Sequence, residues 1–126
     1  MEVKLCMKYI IVDPDMKNAI ELKKILDSYE VLDFKGSYTK FSTAENCILE
    51  YPPDIVFIWL GKAELNAFRL ANVVRKHNLF SKVIFISSEK QNAVEAFEYE
   101  ADGFLLIPFT EKKIEQILQQ NFERKK

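Results

Sequence analysis

"PDIVFIWLGKAELNAF", Pro53 to Phe68, sets the apolar run Ile55 to Ile58 against a following amphipathic stretch that opens at Glu64. Apolar residues at successive positions fit a strand covered on both faces, and therefore a parallel sheet lying between layers of helices. The run stops abruptly at Trp59. Strand ends of this kind are where many α/β proteins place a reactive or ligand-binding side chain, so the indole there needs an explanation.

The same pairing recurs along the chain. "KYIIVD" precedes Asp15 to Ser28, "VLDFKGSY" precedes Thr43 to Glu50, "KVIFIS" precedes Gln91 to Glu100, and "GFLLI" precedes Thr110 to Phe122. Ala19, Leu22, Ile25 and Leu26 share one face of the first helical stretch, and Ile114, Ile117, Leu118 and Phe122 share one face of the last, which reads as core. Right-handed crossovers and short connections then give an α/β fold: a doubly wound five-stranded parallel sheet, order 2-1-3-4-5, flavodoxin-like, with residues 1–126 as a single domain. Strands one, three, four and five are read as the middle of the sheet. The second, interrupted by Asp33, Lys35 and Ser37, is read as an edge.

Composition narrows the function classes. With 18 Lys plus Arg against 19 Asp plus Glu, the net charge of −1 gives no broad attraction for nucleic acid or anionic lipid. The basic tail Arg124 to Lys126 is read as a solvated terminus. Cys6 and Cys47 lack metal-ligand spacing, and His77 has no acidic or thiol partner in a motif beside it. No run reaches the length of a membrane span, and no cleavable leader precedes the first strand. The expectation is a cytoplasmic protein with no cofactor, no metal, no membrane contact and no direct contact with nucleic acid.

In a sheet of this order, ligands bind beyond the carboxyl ends of the strands. The residues at those ends are Asp13, Pro14 and Asp15 after the first strand, Trp59 after the third, Ser87 and Ser88 after the fourth, and Ile107 with Pro108 after the fifth. The 3 glycines form no phosphate-binding loop, which weakens a small-ligand reading of the crevice.

"YIIVDPDMKNAIELKKIL", "PDIVFIWL" and "VIFISSEKQNAVEAFEYEADGFLLIPF" together resemble the receiver (CheY-like) domain of two-component response regulators, from about Met7 to about Gln120. The last stretch is most similar to receivers that precede LytTR-type DNA-binding domains. The resemblance implies a non-enzymatic signalling module that works through protein contacts. It also implies a phosphoacceptor aspartate at position 59, where Trp59 stands. Of the two adjacent acids that hold magnesium in the family, the first is Asp13 and the second is replaced by Pro14. The lysine before the last proline is replaced by Ile107. The hydroxyl after the fourth strand is kept as Ser87, and the aromatic switch-like position as Phe104. In the loop after the third strand, Ala63, Asn66 and Ala67 depart from the family's pattern.

Acyl phosphate formation needs an oxygen nucleophile, a cation over the phosphoryl oxygens, and fixed donors around them. Indole supplies only an N–H donor, proline no side-chain ligand and isoleucine no charge. The chain is therefore read as a degenerate receiver, a pseudo-receiver acting as a phosphorylation-independent interaction or dimerisation module. The alternatives are a phosphoacceptor using a displaced carboxylate, Asp15 or Asp54, and a small-ligand binder in the same crevice. Trp59 is read as a plug filling the vacated pocket, against the plainer reading of a large core residue. Asp13 is read as a loop or capping carboxylate, Ser87 as a hydrogen-bonded strand-end hydroxyl, and Phe104 as buried or half-buried.

For the partner surface, Ala93, Ala96, Phe97 and Ala101 are read as the inward stripe of the fourth helix, leaving Glu95, Glu98 and Tyr99 outside; the fifth helix leaves Lys112 and Lys113 outside. By the resemblance, a protein partner or a second copy binds the fourth helix, fifth strand and fifth helix. The bond between Ile107 and Pro108 is expected to be cis on the same ground.

Overall fold

In the computed structural model the described residues are 6–61, 64–77 and 80–122. Ala63, Asn78 and Leu79 after His77, and the basic tail lie outside them. The chain alternates β1 (Met7–Val12), α1 (Met16–Leu26), β2 (Leu32–Tyr38), α2 (Phe41–Glu50), β3 (Ile55–Trp59), α3 (Glu64–His77), β4 (Lys82–Ser87), α4 (Asn92–Glu98), β5 (Gly103–Leu106) and α5 (Glu111–Phe122). All strand pairings are parallel, in the order β2-β1-β3-β4-β5. β5 is thus a second edge, paired only with β4, and not part of the middle of the sheet. Its Phe104 and Leu106 are only half-buried, whereas every residue of Val83–Ser87 is buried, because no strand lies beyond it.

The successive apolar residues of the central strands divide by alternation into two cores. Ile10, Val12, Val56, Ile58, Val83 and Phe85 pack with Ala44, Ile48, Phe68 and Val74 on one face. Tyr9, Ile11, Ile55, Phe57, Ile84 and Ile86 pack with Ala19, Leu22, Leu26, Ile114 and Leu118 on the other. Each fully buried side chain of this size contributes about 1.5 to 3 kcal/mol by leaving water, so a sheet with two apolar faces needs both helical layers.

Local chemistry sets the ends. Asp15 is the N-cap of α1, its Oδ1 accepting from the Lys17 N–H at 2.9 Å, and the Lys23–Asp27 pair closes the same helix. Pro52 and Pro53 stop α2, since neither supplies the N–H needed to continue it. β1 and β2 slip register between Tyr9 and Ile10, where Lys35 is the extra, unpaired residue of β2. The Ile107–Pro108 bond is cis, as expected.

Candidate functional site

Parallel pairing brings the carboxyl ends of β1, β3, β4 and β5 to one edge: Val12 pairs with Ile58, Trp59 with Ile86, and Ser87 with Leu106. Backbone bonds continue the order past the strands, from Leu60 N–H to the Ile86 carbonyl at 2.7 Å and from Ile107 N–H to the Ser87 carbonyl at 2.8 Å. Asp13, Trp59, Ser87 and Ile107 are therefore neighbours in strand order, as the sequence predicts. Pro14 and Asp15 are exposed at the start of α1.

Asp13 is 1% exposed. Its Oδ1 accepts the Asp15 N–H at 2.8 Å, while Oδ2 is buried and has no hydrogen-bond partner. Burial raises the carboxyl pKa to about 6; the charge of Asp15 adds to the rise, and the Asp15 N–H and the Asn18 side chain oppose it. Of the two roles the sequence offers for Asp13, the loop carboxylate holds and capping does not: the helix cap is Asp15.

A magnesium ion, the metal that receiver chemistry implies, does not fit this donor set. One oxygen of Asp13 is committed to the backbone and the other is sealed from solvent. Asp15 is occupied at the helix cap, and Pro14 offers no side-chain donor. Among the described residues no group of three or more His, Cys, Asp or Glu could hold a metal ion. Asp54 lies just before β3, at the opposite end of the strand, with its Oδ2 accepting the Lys8 N–H at 2.8 Å.

Trp59 is half-buried and packs on the core shared with α1 and α5. Its indole also lies over Gly61, where an added Cβ would overlap Nε1. Gly61→Ala is accordingly expected to displace the ring at a cost of about 1 to 3 kcal/mol. Because Trp59 is the single tryptophan, its emission should shift to the red along with a lower unfolding midpoint. An unshifted spectrum would show that the ring is not held there.

Ser87 is fully buried, and its Oγ accepts from Glu89 N–H at 2.9 Å and from Asn92 Nδ2 at 2.8 Å. The hydroxyl is thus committed to the turn into α4. Asn92 was not singled out from the sequence; the available signal was a serine just before a helix start with an amide side chain on its first turn.

The partner face differs from expectation in two positions. Tyr99 is half-buried, stacked on Phe68 with ring centroids 4.1 Å apart, and Phe97 is 53% exposed beside Val94 at 70%. The buried positions of α4 are Asn92 and Ala96, so its inward line runs one residue earlier than the line through Ala93 and Phe97. Glu95, Glu98, Lys112 and Lys113 are exposed as predicted, and Phe104 is half-buried.

No family model matches the chain. Sensory transduction protein LytT of Bacillus cereus is 29% identical over 119 residues, covering 94% of this chain and 48% of that protein. Transcriptional regulatory protein YpdB of Escherichia coli is 26% identical over 113 residues, 90% of this chain and 46% of that one. The chain spans about half the length of these curated relatives. The crystal structure of the response regulatory domain of protein mrkE from Klebsiella pneumoniae superposes with a TM-score of 0.80 at 27% identity, covering 90% of this chain and 93% of that one. Strand order and relatives agree: the chain has the doubly wound fold of response-regulator receiver domains and is similar to them along nearly its whole length, while its strand-end residues depart from them at Pro14, Trp59 and Ile107.

Proposed function

We propose that residues 1–126 form a degenerate receiver domain, a cytoplasmic pseudo-receiver that works without phosphorylation as a protein-interaction or dimerisation module and controls a DNA-binding domain. The observation that carries this reading is Trp59 at the end of β3, accompanied by Pro14 and Ile107 at the two neighbouring sites of charge. An indole cannot form an acyl phosphate, and the burial of Asp13 with its Oδ2 unpartnered is what a pocket without its lysine would leave behind. The regulatory names of the roughly twice-longer relatives support an effector half in the intact protein.

In this reading the contact surface is α4, β5 and α5. Val94 and Phe97 are its apolar anchors in place of Tyr99, and Glu95, Glu98, Lys112 and Lys113 are rim charges. The partner is another protein or a second copy of the chain. The decisive test is intact mass after incubation with acetyl phosphate and Mg²⁺. The mass should be unchanged, and a stoichiometric phosphate adduct on any aspartate would overturn the reading.

A further inference from the structure

β5 is an edge strand with a groove along its open side. Two cavities lie end to end there, of about 350 and 210 Å³, and both are lined by Phe104 and Lys113. The first also reaches Lys90, Ala93 and Pro108; the second reaches Phe97, Gln116 and Gln120. The walls therefore differ in chemistry. On the α4 side, Ala93 and Phe97 give an apolar wall. On the α5 side, Lys113, Gln116 and Gln120 recur at helical spacing and give a polar, cationic one.

The charge of the groove is one-sided. Its lining includes two lysines and a single acid, Asp102, which is already paired with Arg75. Glu111 and Glu115 of α5 act on Tyr29, beyond the end of α1, raising its hydroxyl pKa after burial itself. They sit on the far side of α5 from the groove.

We propose that this groove accepts an extended acidic segment of a partner protein as a sixth strand beside β5. The proposal rests on the reading of this face as the contact surface and commits it to a binding mode. An edge strand offers a row of unpaired backbone donors and acceptors, and an added strand satisfies them while its side chains point alternately to the two faces. One set then meets Ala93 and Phe97 and is apolar. The intervening set meets Lys113, Gln116 and Gln120 and is acidic.

The probe is a blocked hexapeptide of alternating valine and glutamate, titrated into the ¹⁵N-labelled chain. Saturable amide shifts are expected at Gly103 to Leu106 and along the facing sides of α4 and α5. Lys113→Glu should weaken binding roughly tenfold, as expected of about 1.4 kcal/mol. The valine–lysine peptide should not bind. Nor should a valine–glutamate peptide methylated on the amides of one edge, which keeps the charge and removes the strand pairing. Absence of saturable shifts at millimolar peptide, or binding that survives methylation, would overturn the proposal whatever the phosphorylation result. Shifts of the same amides with protein concentration alone, with sedimentation as a dimer, would give the groove to a second copy and also overturn it. Should Lys113→Glu disturb the unbound spectrum, the two control peptides on the unmodified chain decide the matter.

Discussion

Asp102→Ala is expected to destabilise the domain by about 2 to 3 kcal/mol, seen as a fall of about 10 °C in the unfolding midpoint. Asp102 joins three elements. Its Oδ2 accepts from the Val83 N–H at 2.8 Å and from the Arg75 guanidinium, while its own N–H reaches the Val83 carbonyl. Arg75 in turn donates to the carbonyls of Ser81 and Glu100, each at 2.8 Å. Glu100 adopts a left-handed φ of 59°, unfavourable for a residue with a Cβ, and the arginine bond helps to hold it. Both charged side chains are about four-fifths buried, so removing one leaves the other short of its partner; the residual exposure places the loss below that of a fully buried pair. Arg75→Ala should cost a similar amount, and the double variant much less than the sum, because the groups form one unit. A loss below about 1 kcal/mol for either single change would show that the pair does not brace the start of β5.

The second large effect has the opposite sign: Asp13→Asn should stabilise the protein at pH 7. The folded state holds the Asp13 proton up to about pH 6, against 3.8 for a free carboxyl. Its folded pKa is raised, so stability is fully present below pH 4, falls as pH rises towards 6, and is lower by up to about 3 kcal/mol above that. Asparagine keeps an acceptor for the Asp15 N–H and carries no charge to desolvate. Urea titrations at pH 4 and 7 should therefore show a smaller loss between the two pH values for Asp13→Asn than for the parent, and a gain of about 2 kcal/mol at pH 7. A loss of stability at pH 7 would mean that the ionised carboxylate is compensated, and would reopen the ligand reading of Asp13.

The central strands were legible because burial on both faces leaves an unbroken apolar run, as at Ile55 to Ile58. β5 looked the same in sequence, since "GFLLI" is apolar whether or not another strand lies beside it. α4 was misphased for a different reason. At Asn92–Glu98 it is only 7 residues long, and a polar residue, Asn92, opens its buried line. Tyr99 lies at the C-cap, where the helical period no longer fixes direction, and the ring turns inward onto Phe68. The strand-end residues came together as read because parallel strands must end on one side. The Arg75–Asp102 brace was not legible, for it joins positions 27 apart through no periodic signal.

The bonds around Ser87 bear on how many shapes the loop after β4 can take. To turn its hydroxyl elsewhere, the chain must give up bonds from Glu89 N–H and from the buried amide of Asn92. At about 1 kcal/mol or more for each, the alternative arrangement would hold no more than a few per cent of the molecules at equilibrium. A domain so weighted carries little information in its shape. In the proposed phosphorylation-independent reading, occupancy of a partner would then follow mass action and the abundance of the protein.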